Sequence, residues 1–186
     1  MSSIKRLETP LTEEKLKDLR VGQRALLSGF VYTARDAAHK RLARAIDAKE
    51  ELPIPIDGQI IYYAGPSPTR PGEIIGSAGP TTAIRVDVYT PQLLAHGLKG
   101  MIGKGYRTTE VRMAMAHYGA VYFVVVGGAA ALISERIKQV EIIAYEDLGT
   151  EAIRRLKVVD FPILVANDLY GRDLFESGRD QYKREQ

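Results

Sequence analysis

The chain contains no cysteine among its 186 residues. That absence excludes disulfides, structural thiolate zinc sites and any iron–sulfur cluster held by this chain alone. Histidine is scarce as well. His39, His96 and His117 lie far apart with no ligand spacing such as HxxxH, so no metal site made only from this chain is expected. Long apolar runs are also missing. The longest, Ala120 to Ile133, is interrupted by Gly127 and Gly128; it is too short for a membrane span and reads as a buried strand followed by a helix. The opening residues, MSSIKRLETP, carry no apolar signal region, so the expectation is a cytoplasmic protein with no membrane association. Neither sign of charge dominates: the net charge is +3, with acids and bases interspersed. The local excess at His39, Lys40, Arg41 and Arg44 reads as a solvated helix face, and nucleic-acid binding is not indicated.

What is present is ordinary globular material: 26% charged and 45% hydrophobic residues, in a length that suits one domain spanning 1–186 with its core at about 5–175. Thr12 and the acids after it predict a short capped helix reaching Leu19. Gln23 to Tyr32 predicts a strand, and Asp36 is placed to cap a helix that runs to about Glu50. Strands are expected at Ile60–Ala64, Glu73–Ser77, Gly100–Ile102, Val121–Val126, Gln139–Tyr145 and Pro162–Val165. Helices are expected at Tyr89–His96, Thr108–Tyr118, Gly128–Ile137 and Gly149–Lys157, with a polar helix or tail at the C-terminus. The alternation predicts an α/β domain, and the strands that follow one another early on predict a mixed sheet.

Four polar stretches fall at element ends, where function concentrates. Thr33 to Arg41 joins a strand to a helix, so backbone N–H groups and Arg35 have the means to meet an anion there, although a cap with an exposed basic face explains the same residues. Gly76 to Arg85 is a constrained loop with adjacent Thr81 and Thr82. If it runs into a helical turn, Arg85 folds back near Thr81 and suits a carboxylate; the competing reading is a turn with a threonine cap. Gly103-Lys104-Gly105 lets a lysine approach a ligand closely, or is a plain turn; it lacks the spacing of a phosphate-binding P-loop. Asn167-Asp168 is a turn signal that needs no function. His96 and His117 sit near helix ends, where a capping or surface role suffices.

Taken together, TARDAAHKRL at Thr33–Leu42, GPTTAIRVDVY at Gly79–Tyr89 and GMIGKGYRT at Gly100–Thr108 resemble, in order and spacing, the β subunit of two-subunit class I fumarases and L(+)-tartrate dehydratases. The same unit forms the C-terminal domain of single-chain class I fumarases. The likeness covers roughly residues 5 to 175. It implies a swivelling β/β/α domain packed over an α subunit that carries a [4Fe-4S] cluster on three cysteines, in a heterotetramer. The lack of cysteine in this chain agrees with that division of labour. The resemblance assigns substrate-carboxylate binding to Arg35, Arg85 and Lys104, with Thr82 beside them. It gives Thr81 the role of general base, and His39 and Asp87 supporting roles. Ile84 and Val86 stand where single-chain relatives often carry glycine and methionine, so a positive φ at Ile84 is not expected.

The implied reaction is the reversible dehydration of a small hydroxy-dicarboxylate, the malate–fumarate step of the tricarboxylic acid cycle. The partner's iron would act as a Lewis acid on the departing hydroxyl, while this chain's cations stabilise the charge that builds up on a carboxylate as the proton leaves. Tartrate dehydration differs by one substrate hydroxyl, which the motif residues do not report. A non-catalytic anion-binding or interaction module is the competing reading from another class.

Overall fold

The computed structural model describes residues 4–125 and 130–182. Its strands are β1 Lys5–Glu8, β2 Arg24–Thr33, β3 Ile60–Tyr62, β4 Gly100–Gly103, β5 Val121–Val124, β6 Ile137–Ala144 and β7 Ile153–Asn167. The helices are α1 Glu13–Leu16, α2 Asp36–Asp47, α3 Thr90–Ala95, α4 Thr109–Tyr118, α5 Ala130–Glu135 and α6 Leu174–Tyr182, with 3₁₀ turns at Ala83–Val86 and Glu146–Glu151. The strands form one sheet in the order β1-β2-β3-β4-β5-β7-β6. Successive neighbours from β1 to β5 run parallel, whereas β7 runs antiparallel to β2, β5 and β6. The α/β class and the mixed sheet are therefore as expected. Because β7 pairs with β5 at one edge and with β2 at the other, strands β2, β3, β4, β5 and β7 close into a ring.

Parallel neighbours cannot be joined by a tight hairpin and need a crossover. Here α2 lies between β2 and β3 in the chain, α3 between β3 and β4, and α4 between β4 and β5. The parallel strands are apolar on both faces, as strands covered from two sides must be. Ile60 and Tyr62 of β3, with Ile102, Val121 and Phe123, join one core with Leu156, Val158 and Phe161 of β7. The alternate residues Ile61, Tyr63, Met101 and Tyr122 join a second core with Leu42 of α2, Leu93 of α3 and Val111 of α4. The period of two thus sorts each strand between a sheet-lined core and a helix-covered core.

Helix ends follow local chemistry. The Thr12 and Thr108 hydroxyls accept the Lys15 and Val111 N–H groups at the starts of α1 and α4. Gly119 ends α4 in the left-handed region. Three expectations are corrected. Asp36 is not a cap: Arg35 occupies that position without a side-chain bond, and the Ala37 N–H is instead accepted by Glu151. Glu73–Ser77 is loop, not strand. The Ser67 N–H donates to the Ser77 carbonyl, and the chain is folded so tightly there that a Cβ on Gly76 would lie 2.2 Å from the Ser67 carbonyl oxygen. The helix expected over Gly149–Lys157 is largely β7. Helix-forming Arg154, Arg155 and Lys157 are overridden because the segment pairs on one side with β2 and on the other with β6. The expected helix start at Gly128 and the strand end at Val126 fall outside the described residues. Among the described residues, no helix is long and apolar enough to cross a membrane.

Candidate active site

Strands β2, β3 and β4 run parallel, so their C-terminal ends reach the same edge of the sheet, the usual place for a ligand in such sheets. Every motif residue of interest follows one of these ends or is bonded to it. Beyond β2, the Ala34 N–H still donates to the Tyr62 carbonyl, and Arg35 follows in extended backbone just before α2. Beyond β3, Ala64 bridges Pro80. Thr81 gives both its N–H and its hydroxyl to the Tyr63 carbonyl, at 2.6 and 2.8 Å. Lys104 in turn donates its N–H to the Thr81 carbonyl at 3.1 Å and accepts the Ala83 N–H at 2.9 Å. Residues 80–83 are thereby wedged between the prolongations of β3 and β4. Gly103 fits the close approach that results: a Cβ there would come 2.8 Å from the Tyr63 ring and 3.2 Å from the Tyr122 hydroxyl.

The loop does run into a helical turn, Ala83–Val86, which carries Arg85. No side-chain hydrogen bond joins Arg85 to Thr81 among the described residues. The Arg85 guanidinium lies instead 4.0 Å from the Asp36 carboxylate, and its side chain is 61% exposed. Since Asp36 follows Arg35, this brings the second arginine back toward the element that carries the first. Arg35 is 23% exposed and lies 3.4 Å from the Glu151 carboxylate. Lys104 is exposed and Thr81 and Thr82 are half-buried. Arg35, Thr81, Thr82, Arg85 and Lys104 therefore belong to one edge, where Arg85 and Lys104 face outward. Two hollows elsewhere, of about 500 and 570 Å³, are lined by other residues, among them Ser67, Glu73 and Lys138 in the first and Tyr106, Arg112 and Asp173 in the second. Ile84 has no positive φ, as expected.

His39 and Asp87 lie beneath this edge. His39 is fully buried, so the part of the α2 basic stretch that it occupies is not a solvated face. Its Nδ1 is 2.9 Å from the Arg35 carbonyl, and because a carbonyl only accepts, Nδ1 carries the proton. Burial pushes the imidazole down to about 4, against a smaller upward pull from that bond and with a further downward push from Arg107. Asp87 accepts the Thr108 N–H at 2.7 Å and pairs with Arg107 at 2.8 Å.

Arg107 is the residue that sequence reasoning missed most plainly. It lies inside the GMIGKGYRT motif, but its polar neighbours, Lys104 before it and Thr108, Thr109 and Glu110 after it, give no sign of burial. Its side chain is wholly buried. It donates to the Tyr63 hydroxyl at 2.9 Å and the Thr90 hydroxyl at 2.8 Å, and its guanidinium sits about 5 Å from the centres of the Tyr63 and Tyr122 rings. Glu151, which meets both Arg35 and the Ala37 N–H, was also missed; no local pattern announces it. His96 accepts the predicted end role, with its Nδ1 2.9 Å from the Gln92 carbonyl.

Comparison with known proteins gives one family: residues 2–178 match the family described as Fumarase C-terminus. The chain is 41% identical over 174 residues to "Fumarate hydratase class I, anaerobic" of Escherichia coli, covering 91% of this chain and 32% of that protein. It is 38% identical over 164 residues to "Fumarate hydratase 2" of Leishmania major, covering 87% and 29%. It is 35% identical over 172 residues to "Putative L(+)-tartrate dehydratase subunit beta" of Methanocaldococcus jannaschii, covering 89% and 88%. The chain thus spans about a third of the length of the curated fumarate hydratases it matches and most of the length of the subunit.

Two outcomes are expected from the buried groups. Asp87→Asn keeps an acceptor for Thr108 but strands the Arg107 charge, and should cost about 3–5 kcal/mol in urea denaturation; Asp36→Asn, at the exposed Arg85 pair, should cost less than about 1 kcal/mol. His39 is held neutral by the fold while the unfolded chain protonates near the ordinary value of 6.5. Its stabilisation is therefore complete above that value and is lost as pH falls toward 4, up to about 3 kcal/mol. His39→Gln should remove that part of the pH dependence of the urea midpoint between pH 7 and pH 4.

Proposed function

The chain belongs to the fumarase C-terminal family, and from that premise we propose that it is the substrate-gripping β-type part of a hydro-lyase that interconverts malate and fumarate with a cluster-bearing α subunit. The feature that supports this reading is the backbone arrangement at the edge where β2, β3 and β4 end: Arg35 follows β2, Thr81 and Thr82 are bonded to the extensions of β3 and β4, Lys104 follows β4, and Arg85 stands on the next turn near Asp36. Three cations beside hydroxyls and backbone amides suit a guest with two carboxylates. Arginine forks grip carboxylates with two parallel bonds, and lysine adds a compact charge.

The openness of the edge supports a partner. Exposed cations are screened by water and salt, and lose much of their hold on a small anion. Covering them strengthens the same contacts. Val88, 76% exposed, and Tyr106, 60% exposed, stand on the same rim with the partly exposed Ile84. The two segments that carry them are linked through the Ala83–Lys104 and Asp87–Thr108 bonds. Apolar side chains at such a place fit a surface that another polypeptide covers. In this reading the domain swivels over the α subunit, in a heterotetramer.

The [4Fe-4S] cluster has no fit on this chain. It has no cysteine, and among the described residues no group of three or more His, Cys, Asp or Glu side chains could hold a metal. What this chain supplies is charge and proton handling. Arg35, Arg85 and Lys104 hold the carboxylates and stabilise the negative charge that accumulates as the carbon next to one of them loses its proton. Thr81 takes that proton as its alkoxide, after its own hydroxyl proton has been lost to solvent at the open edge, and so returns to the neutral hydroxyl. In the resting site that hydrogen is directed to the Tyr63 carbonyl, and cations brought near by a bound substrate favour the deprotonated oxygen. Tartrate is the second candidate substrate, favoured by the relative whose length this chain nearly fills.

The test is anaerobic co-expression with the candidate α subunit, followed by iron analysis and assay of fumarate, malate and tartrate. The expected result is an iron-bearing complex that turns over fumarate and malate. Lys104→Ala should lose about a hundredfold in kcat/KM, and Thr81→Ala should lose exchange of the malate proton with solvent. A complex without hydro-lyase activity, or one indifferent to both substitutions, would contradict the proposal.

A further inference from the structure

Arg35 is gripped from two sides, and one of the grips comes from far along the chain. On one side its guanidinium and stem lie so close to Gly65 that a Cβ there would meet Nη1 at 2.9 Å and Cδ at 3.0 Å. On the other side is Glu151. One carboxylate oxygen stands 3.4 Å from Arg35 Nη2, and the other accepts the Ala37 N–H at 2.9 Å. Both partners of the pair are 23% exposed, so the contact is sheltered but its outer side is open.

Glu151 itself is held on a braced segment. It ends the 3₁₀ turns Glu146–Glu151, whose Asp147 takes both arms of the Arg41 guanidinium of α2. That guanidinium lies 5.1 Å from the centre of the Tyr145 ring. From the other end, Arg154 donates to the carbonyls of Gly149, Thr150 and Ala152 at 2.8, 3.1 and 3.1 Å. A long arginine side chain left free must be ordered at the moment a ligand binds; one already held loses less freedom on binding. We infer that Glu151 is a positioning residue that fixes Arg35 in its slot against Gly65 in readiness for a carboxylate guest. This rests on the reading of Arg35 as a substrate-binding residue.

Glu151→Gln separates the two contacts, because an amide oxygen still accepts the Ala37 N–H while the charge facing Arg35 is gone. In the co-expressed complex, the expected result is a rise of about tenfold in KM for malate with kcat changed by less than about twofold. A merely structural Glu151 would lower kcat in proportion to the folded fraction and leave KM alone, and a Glu151 that competes with substrate for Arg35 would lower KM. Either result overturns the inference. If Glu151→Gln fails to fold, Asp147→Asn loosens the same segment from Arg41 without touching Arg35; a raised KM supports the inference and an unchanged one overturns it. Arg35→Lys is measured alongside. A KM raised by Arg35→Lys but not by the other two variants overturns the positioning role alone, whereas a KM unmoved by Arg35→Lys overturns the reading of Arg35 and this inference with it.

Discussion

A guanidinium with no exposed surface, that of Arg107, joins the segments on which the candidate site is built. It pairs with Asp87 just after the 3₁₀ turn, donates to Tyr63 at the end of β3 and to Thr90 at the start of α3, and itself follows the Lys104 turn. A buried arginine is tolerated only when a carboxylate and several acceptors surround it, and removing one partner costs more than the whole arrangement gains. The positions of Thr81, Arg85 and Lys104 therefore depend on a polar cluster that no ligand need touch. That cluster lies within the helix-covered core, beside Tyr63 and Tyr122, so packing fixes it on all sides.

Above that anchor the chemistry is arranged by strand direction. Parallel β2, β3 and β4 deliver their loops to one edge, and residues 80–83 tie two of those loops together by backbone bonds. Backbone bonding gives this edge a rigidity that side-chain contacts alone would not. The cations standing on it differ in burial: Arg35 is sheltered and paired, whereas Arg85 and Lys104 face outward. An open row of positive charge beside exposed Val88 and Tyr106 has the character of a half-site, and the proposed α subunit would supply the other half.

Much of this was legible in the sequence where local signals are strong. Thr108 and Gly119 bracket α4, the apolar run at Val121 reads as a strand covered on both faces, and the three motifs bring out Arg35, Thr81, Arg85 and Lys104. What was not legible depends on pairing between distant segments. The Ala-Ile-Arg-Arg-Leu-Lys stretch has helix-forming residues, but it becomes β7 because β2 and β6 hold it from both edges. Asp36 has the right chemistry for a cap, yet the carboxylate that meets the first turn of α2 is Glu151, 114 residues from Ala37. His39 reads as part of a basic stretch, and only the packing of α2 against Tyr63 turns it inward. Periodicity finds elements, but it does not say which distant carboxylate will meet which arginine.

The central claim is that Arg35, Arg85 and Lys104 grip a single dicarboxylate at an edge completed by another subunit. A crystal structure of the anaerobically prepared complex with malate tests it most directly. The account predicts one malate whose carboxylates contact Arg35, Arg85 and Lys104, with the α subunit closing the outer side. Malate bound elsewhere, or an α subunit docked on a different face that leaves this edge in solvent, would contradict it.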